Sequence, residues 1–211
     1  MPELTIDPGI RDLLSVGQIE AASVRVGPPE GALTGEIGAL CAHVSIRHAG
    51  RQPSEIEGLA AARRLYRAFG IDPTSTRPSS EALLRRILQR KPFPAINAAV
   101  DVCNLCSATF LLPIGLYDTD KVRGPVTLRR GGAGESYPGI RKEAVNLTGR
   151  PVLVDRDGPF GNPTSDSKRT SVDAARTSLR MVIFAPSDYP RQVLDDHVVF
   201  ARGAIDRHLR G

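Results

Sequence analysis

Apolar residues recur at helical spacing in four parts of the chain. The first part begins at Ser54, which forms a capping-box pattern with Glu57, and it ends at Gly70. Three further segments, residues 81–90, about 99–111 and 192–209, also place their apolar residues on one face. We therefore predict four helices, the last of which is a C-terminal amphipathic helix.

Apolar, β-branched runs predict short strands elsewhere. We expect strands at residues 23–26, 126–129, 151–154 and 181–184, with glycine-rich turns at 131–134 and 157–161. Residues 40–46 fit a helix or a strand, and residues 1–22 show little periodicity. Helices first, strands afterwards and one closing helix indicate an α+β fold, in a single domain over residues 1–211.

The composition is that of an ordinary globular protein. Its 211 residues suffice for one buried core, and 41% of them are hydrophobic. The sequence has no apolar run near the ~20 residues that a membrane-spanning helix needs. Its first residues lack the basic stretch of a secretory signal, and three cysteines are too few for a disulfide scaffold. We expect a cytoplasmic protein without a membrane partner.

The charge balance permits a polyanionic partner without requiring one. Lys and Arg number 28 against 23 Asp and Glu, for a net charge of +5. A solvated, arginine-rich surface is the simpler explanation of such an excess. The chain has no Trp, six Phe and four Tyr, so aromatic stacking is not expected to be its main means of holding bases.

Cys103 and Cys106 form a lone CxxC pair. A closed tetrahedral zinc site needs four ligands, and the four histidines show no metal-type spacing to the pair. At i, i+3 positions on an apolar helix, the two thiols favour core packing. The sequence also lacks GxSxG, Walker and GxGxxG motifs. We therefore predict neither a metal nor a cofactor.

Two polar clusters stand out from this background. On the third helix Asp101 and Asn104 leave the same face, with Asn97 one turn earlier and Asp118 beyond the end of the helix. The second cluster is a polar loop that contains Asn162, Ser165, Asp166, Ser167, Lys168, Arg169 and Thr170.

The polar loop allows two interpretations. As a binding loop, it would hold an ammonium through Asp166, a phosphate through Lys168 or Arg169, and a water through its hydroxyls. As a structural loop, its Asn, Ser and Thr side chains would bond to their own backbone, and Asp166 would pair with Arg169. The spacing of the residues favours neither interpretation.

These segments, in this order, resemble the editing domain of the phenylalanyl-tRNA synthetase β subunit and its standalone relatives. Residues 56–70 resemble the lead helix of the standalone family, and residues 77–86 resemble its next signature. Residues 96–104 and 112–121 resemble the segment shared with the synthetase, and the polar loop continues it. The likeness covers about residues 55–185.

The resemblance implies a mixed α/β sandwich that binds aminoacyl-tRNA, without affinity for DNA, and hydrolyses the ester of misacylated tRNA. It implies catalytic roles for Asp101, Asn104, Asp166 and Thr170. Substrate binding is expected of Asn97, Asp118, Asn162, Ser165 and Ser167. Binding of tRNA phosphates is expected of Arg77, Arg85, Arg86, Lys168 and Arg169.

Two positions depart from the synthetase pattern. Gly115 stands where the synthetase has a histidine, and Gly149 lies where a glutamate is expected before the strand at 151–154. In the synthetase these residues read a tyrosyl group, so phenylalanine proofreading is not expected to carry over. The departures favour one alternative, a tRNA-binding module without turnover. A small-molecule hydrolase or amino-acid sensor on the same scaffold is the other alternative.

Overall fold

The chain folds into helices and strands in mixed order, as seen in a computed structural model that describes residues 3–140 and 143–210. The α-helices are α1 (Gly31–Arg47), α2 (Leu59–Ala68), α3 (Ser79–Leu88), α4 (Ala98–Phe110) and α5 (Arg191–Leu209). The strands are β1 (Leu4–Ile6), β2 (Leu14–Arg25), β3 (Ile114–Asp118), β4 (Val126–Arg130), β5 (Ser136–Tyr137), β6 (Val145–Asn146), β7 (Pro151–Asp155), β8 (Gly158–Gly161) and β9 (Arg176–Pro186).

Two sheets form the framework of the fold. In the first sheet, β9 lies between β2 and β3 and is antiparallel to both. The second sheet has the order β1-β4-β7-β8, parallel between β1 and β4 and antiparallel elsewhere. Strands β2 and β9 pair from Leu14 with Pro186 to Arg25 with Arg176, so they form the longest ladder. Strands β5 and β6 form a further short antiparallel pair.

The side chains of β9 divide the hydrophobic interior into two cores. Met181 and Ile183 pack with residues of α4 and α5, whereas Val182 and Phe184 pack with residues of α2, β4 and β7. Successive side chains of a strand point to opposite faces, so β9 is buried on both sides. The first sheet is therefore the middle layer, with α4 and α5 on one face and the second sheet on the other.

The predicted mixed α/β sandwich with a C-terminal helix is confirmed, although two boundaries were wrong. The helix predicted from Ser54 begins at Leu59, and its capping box is formed instead by Gln52 and Glu55 at a preceding 3₁₀ turn, with the Gln52 N–H donating to the Glu55 carboxylate at 2.6 Å. Residues 158–161, predicted as a turn, form β8. Pairing with β7 overrides the low strand propensity of this glycine- and proline-containing segment.

The predicted order of helices before strands was also wrong. Strand β2 has twelve residues and precedes α1. Its alternation is interrupted by a shift in register between Ala21 and Val24, and Ser23 adopts a φ of 54° there. Residues 40–46 belong to helix α1. The predicted packing of the cysteine pair is confirmed, because Cys103 and Cys106 lie on α4 and are both buried in the core that α4 forms with α5 and the first sheet.

A buried carboxylate on α3 gathers three arginine side chains. Glu81 is 1% exposed. Arg63 donates to its carboxylate at 2.9 and 2.8 Å and Arg85 at 3.0 Å, while Arg77 Nε lies 3.7 Å away. Burial alone would raise the pKa of Glu81, but the bonds to Arg63 and Arg85 outweigh it and hold the pKa below its usual range. The carboxylate therefore joins α2 to α3 as an anion.

We expect the Glu81→Gln variant to lose about 3 kcal/mol of unfolding free energy, because three arginines would then surround a neutral amide. Urea denaturation of both proteins measures the loss. Glu57→Gln is the matched control, since Glu57 is exposed and makes no side-chain hydrogen bond within the described residues. Equal stabilities of the two variants would contradict the structural role of Glu81.

Candidate functional site

The polar loop lies at the seam between the two sheets. β3 pairs with β9 along one edge, and its other edge faces residues 162–170, which we call the seam loop. Leu116 N–H approaches Asp166 Oδ2 at 3.4 Å, and Asp118 N–H donates to Thr170 O at 3.0 Å. On the side of β8, Ser167 N–H donates to Phe160 O at 3.0 Å. The seam loop therefore connects the outer edges of β3 and β8.

The structural interpretation of the loop holds for part of it. Asn162 Oδ1 accepts from the backbone N–H groups of Thr164 and Ser165 at 2.7 and 2.9 Å, which is an Asx turn. Ser167 Oγ accepts from the N–H of Arg169 at 3.0 Å. These bonds shape the turn and use one side of the Asn162 amide, which leaves its nitrogen for another role.

The structural interpretation also paired Asp166 with Arg169, and this pair does not form. Arg169 instead forms a two-point ion pair with Asp155, at 3.0 and 2.8 Å, and donates to Gly158 O at 3.1 Å. Its guanidinium also lies over the Phe160 ring, 5.6 Å from the centroid. Because Arg169 is directed toward β7 and β8, Asp166 forms no ion pair with any residue that the structure describes.

Three polar atoms at the seam are enclosed without a hydrogen-bond partner in the described parts of the chain. They are Asp166 Oδ1, Asn162 Nδ2 and Tyr117 Oη, and we call these three residues the seam cluster. Burial raises the pKa of the Asp166 carboxyl, and the nearby Tyr117 hydroxyl offsets part of that rise. Tyr117 Oη nevertheless has no hydrogen-bond partner among the described residues. Buried polar atoms normally have partners, so a group of such atoms is a candidate binding site.

The Asp166 carboxyl has an unusual protonation equilibrium. Burial raises its pKa to about 7, against the smaller lowering effects of Tyr117 and the Leu116 N–H. Burial also raises the pKa of Cys103 and of Tyr117, and the nearby carboxylate adds to both shifts. At neutral pH the carboxyl is therefore divided between its protonated and ionised forms, as suits a group that transfers protons.

A groove of about 460 Å³ opens beside the seam cluster. It is lined by Ser136, Tyr137, Pro138, Asp157, Pro159, Ser167, Lys168 and Arg169. The Tyr137 hydroxyl donates to Ser165 O at 2.5 Å. Burial raises the pKa of Tyr137, and the neighbouring Asn162 side chain offsets only part of that rise. Tyr137 therefore stands between the groove and the seam cluster.

The polar residues of α4 are divided between structural and open positions. Asn97 caps the helix, accepting from Val100 N–H at 2.9 Å, and donates to Val172 O at 3.1 Å. Asp101 is buried and accepts from Ile96 N–H at 3.0 Å. The Asn104 side chain is half-buried and forms no hydrogen bond within the described residues, so its amide is available.

Asp118 and Thr170 serve the local backbone. Asp118 Oδ1 accepts from Asp120 N–H at 3.0 Å, at the start of a 3₁₀ turn, and also from the Thr177 hydroxyl. Thr170 is fully buried, and its hydroxyl points to Phe160 O at 3.4 Å. Neither side chain faces the groove lining given above.

The cationic residues expected to bind phosphate are mostly engaged within the chain. Arg77 and Arg85 face Glu81 and keep 45% and 34% of their side chains exposed. Arg86 donates to Pro92 O at 3.2 and 2.8 Å. Lys168 differs, because it is exposed at the groove and forms no side-chain hydrogen bond or ion pair with a described residue.

Two tyrosines of this site were missed as candidate residues. Tyr117 lies in a sequence segment that carries the family resemblance, and Tyr137 lies in the turn-rich stretch after β4. Their proximity to Asp166 depends on the packing of two sheets, which leaves no periodic signal in the sequence. Within the described residues, His, Cys, Asp and Glu do not group in threes or more that could hold a metal ion. Nor does the described part of the chain contain a helix long and apolar enough to cross a membrane.

Comparisons with known proteins extend the observations made on the sequence. The B3/4 domain family model matches residues 61–188. The phenylalanine–tRNA ligase β subunit of Bifidobacterium longum is 28% identical in an alignment of 109 residues, and the match covers 44% of this chain and 12% of that subunit.

A solved N-terminal fragment of the phenylalanyl-tRNA synthetase β subunit from Pyrococcus horikoshii aligns with 96% of this chain and 48% of its own, at a TM-score of 0.45 and 12% identity. The chain thus spans less than half of either relative. The family match covers more than half of the chain and coincides with the region of sequence resemblance. The chain therefore belongs to the B3/4 domain family.

Proposed function

We propose that this protein binds the 3′ end of aminoacyl-tRNA and hydrolyses the aminoacyl ester. Membership of the B3/4 family and similarity to a phenylalanine–tRNA ligase β subunit support the choice of substrate. The single observation that carries the proposal is the seam cluster, in which a carboxyl with a pKa of about 7 lies beside two further unpartnered polar atoms of the described chain.

In the proposed reaction Asp166 accepts a proton from a water molecule. The water oxygen attacks the ester carbonyl carbon, and the bond from that carbon to the ribose oxygen breaks. The ribose oxygen takes up the proton from Asp166, which yields free amino acid and uncharged tRNA. A pKa of about 7 suits this exchange, because the carboxyl both gains and loses the proton near neutral pH.

The amide nitrogen of Asn162 is the proposed donor to the oxygen on which negative charge develops. Its position is set by the Asx turn, which holds Asn162 Oδ1 at two backbone N–H groups and fixes the orientation of the amide. A donor held in advance stabilises the transition state more than one that must reorient. Tyr137 has to move for the ester to reach this amide from the groove.

The groove is the proposed seat of the terminal nucleotide. Its volume of about 460 Å³ lies in the usual range of small-molecule sites. Lys168 at its rim is the first candidate for a phosphate contact. Arg77 and Arg85 are further candidates, because their side chains remain partly exposed. Asn104 and Ser165 are proposed to contact the aminoacyl end.

Binding without turnover is the second candidate function. The observation in its favour is the enclosure of the seam cluster behind Tyr137, whose hydroxyl bonds to the seam loop. If Tyr137 never leaves this position, the groove binds a nucleotide while the ester stays outside.

The Asp166→Ala variant tests the proposed hydrolysis. With a panel of correctly and wrongly charged tRNAs, we expect the unmodified protein to release the amino acid from one or a few species, and the variant to be at least about 100-fold slower. Asp12→Asn is the control, because Asp12 is exposed and outside the groove. Absence of hydrolysis across the panel, together with retained tRNA binding, would reject the deacylase and leave the binding module.

The Asp166→Asn variant should be more stable than the unmodified protein at pH 8 but not at pH 4.5. The pKa of Asp166 is about 7 in the fold and near 3.8 in the unfolded chain, so the native state binds the additional proton between these values. The unmodified protein therefore loses unfolding free energy, on the order of a few kcal/mol, as the pH rises from below 4 to 7. Urea denaturation at both pH values measures it, and a difference between the two proteins that does not change with pH would contradict the raised pKa.

The Lys168→Ala variant should bind tRNA more weakly, and its log Kd should depend less steeply on log salt by about 0.7 to 0.9, as expected for one lost phosphate contact. Filter binding over a series of salt concentrations gives both quantities. Lys91→Ala removes another exposed lysine that lies outside the groove. Equal effects of the two substitutions would indicate attraction by overall charge rather than a contact at the groove.

A further inference from the structure

Tyr117 fills the space above two glycines at the seam. A Cβ atom placed on Gly115 would overlap the Tyr117 hydroxyl, and one placed on Gly161 would overlap the ring and hydroxyl of the same tyrosine. Gly115 precedes Tyr117 by two positions in β3, so both residues face the same side of the strand. Gly161 ends β8 on the opposite sheet. Both glycines are therefore required by the position of one side chain.

The ring of Tyr117 is held firmly in this position. The residue is fully buried in the core between the two sheets. Phe160 meets it edge-on, with ring centroids 5.1 Å apart and planes at 85°. The close packing of protein interiors leaves little freedom for such a ring.

The hydroxyl of this fixed ring limits the space beside the proposed ester site. It lies next to the Asp166 carboxyl, so an aminoacyl group placed against Asp166 and Asn162 has its side chain next to Tyr117 Oη. Gly115 and Gly161 add no side-chain atoms, but the room above them is already occupied by Tyr117. A large amino-acid side chain would overlap atoms that the core holds in place.

We propose that Tyr117 limits the size of the amino-acid side chain, so that the site accepts a small aminoacyl group such as alanyl in preference to a large one such as phenylalanyl. This inference rests on the proposed function for the location of the ester. It makes Tyr117 a specificity-determining residue whose hydroxyl and ring act by occupying space, and it assigns no proton transfer to that hydroxyl.

Binding of non-hydrolysable analogues tests the limit apart from catalysis. The probes are 3′-amide analogues of adenosine that carry alanyl, 2-aminobutyryl or phenylalanyl groups, and calorimetry gives their Kd values. We expect the alanyl analogue to bind at least about tenfold more tightly than the phenylalanyl analogue. Tyr117→Leu should reduce that ratio to below about threefold. Tyr117→Phe removes the hydroxyl alone and should specifically improve binding of the 2-aminobutyryl analogue.

Tyr189→Leu is the matched control, because Tyr189 is a half-buried tyrosine whose hydroxyl contacts His197 on α5. It should leave the alanyl-to-phenylalanyl ratio unchanged. If Tyr117→Leu does not fold, as judged by circular dichroism, the Tyr117→Phe result decides. Equal binding of alanyl and phenylalanyl analogues by the unmodified protein would overturn the inference. So would a ratio that neither Tyr117 variant changes.

The two proposals fail in different ways. Selective binding of the alanyl analogue without hydrolysis of any charged tRNA would reject the deacylase but keep the size limit. Hydrolysis of alanyl- and phenylalanyl-tRNA at equal rates would keep the deacylase but reject the size limit. If no analogue binds at millimolar concentration, the location of the ester at the seam cluster is wrong, and the size limit is rejected with it.

Discussion

The outer edge of β3 is the constraint on which the seam depends. A buried strand edge presents N–H groups that need acceptors, and β9 occupies the opposite edge. The seam loop supplies Asp166 Oδ2 near Leu116 N–H and Thr170 O to Asp118 N–H. A side-chain carboxyl thus stands where a neighbouring strand would supply a carbonyl group. The loop also bonds to β8 through Ser167, so the contact with the edge of β3 places this carboxyl between the two sheets, with its Oδ1 atom enclosed.

Two carboxyl groups near the seam have opposite environments. Asp155 is buried, yet its ion pair with Arg169 and its backbone hydrogen bonds keep its pKa below the usual range. Asp166 is enclosed without a cation among the described residues, and its pKa is raised to about 7. Neighbouring acids that are shifted in opposite directions commonly divide structural and chemical roles. Arg169 determines this division, because its guanidinium stabilises the first carboxylate and stays away from the second. Most polar groups of the seam loop have partners, but Asp166 Oδ1 has none among the described residues. Such an unpartnered atom is stronger evidence for a binding site than the overall polarity of the loop.

Local patterns predicted four of the five α-helices of the described residues, but α1 was not predicted. The C-terminal helix, predicted at 192–209, was found at Arg191–Leu209. Its amphipathic pattern can be recognised in the sequence without knowing the topology, because the helix packs one apolar face on its neighbours. Strand β2 was largely missed, because its two faces pack in different cores and a bulge breaks its alternation. Asp166 was identified as a site candidate by its polar loop. The pair with Arg169 that one interpretation offered does not form, because the fold brings Asp155 to that arginine. The neighbours of Asp166 across the seam, such as Tyr117, could not be predicted from local sequence patterns, because they come together only when the two sheets pack.

The two departures from the synthetase pattern have different physical causes. Gly149 has a φ of 72° in the turn before β7, and nothing lies within 4 Å of a Cβ placed there. Backbone conformation therefore explains this glycine, since a residue with a side chain would strain the turn. Gly115 is explained by contact, because the Tyr117 hydroxyl occupies the position of its missing side chain. Replacing Gly115 alone would displace Tyr117, and through it the packing on Phe160. Position 115 is thus closed to a side chain as long as Tyr117 keeps its place in the core. The enclosed polar atoms of Tyr117, Asp166 and Asn162 lie at the same seam, so the hydrolysis that we propose assigns no role to a side chain at position 115.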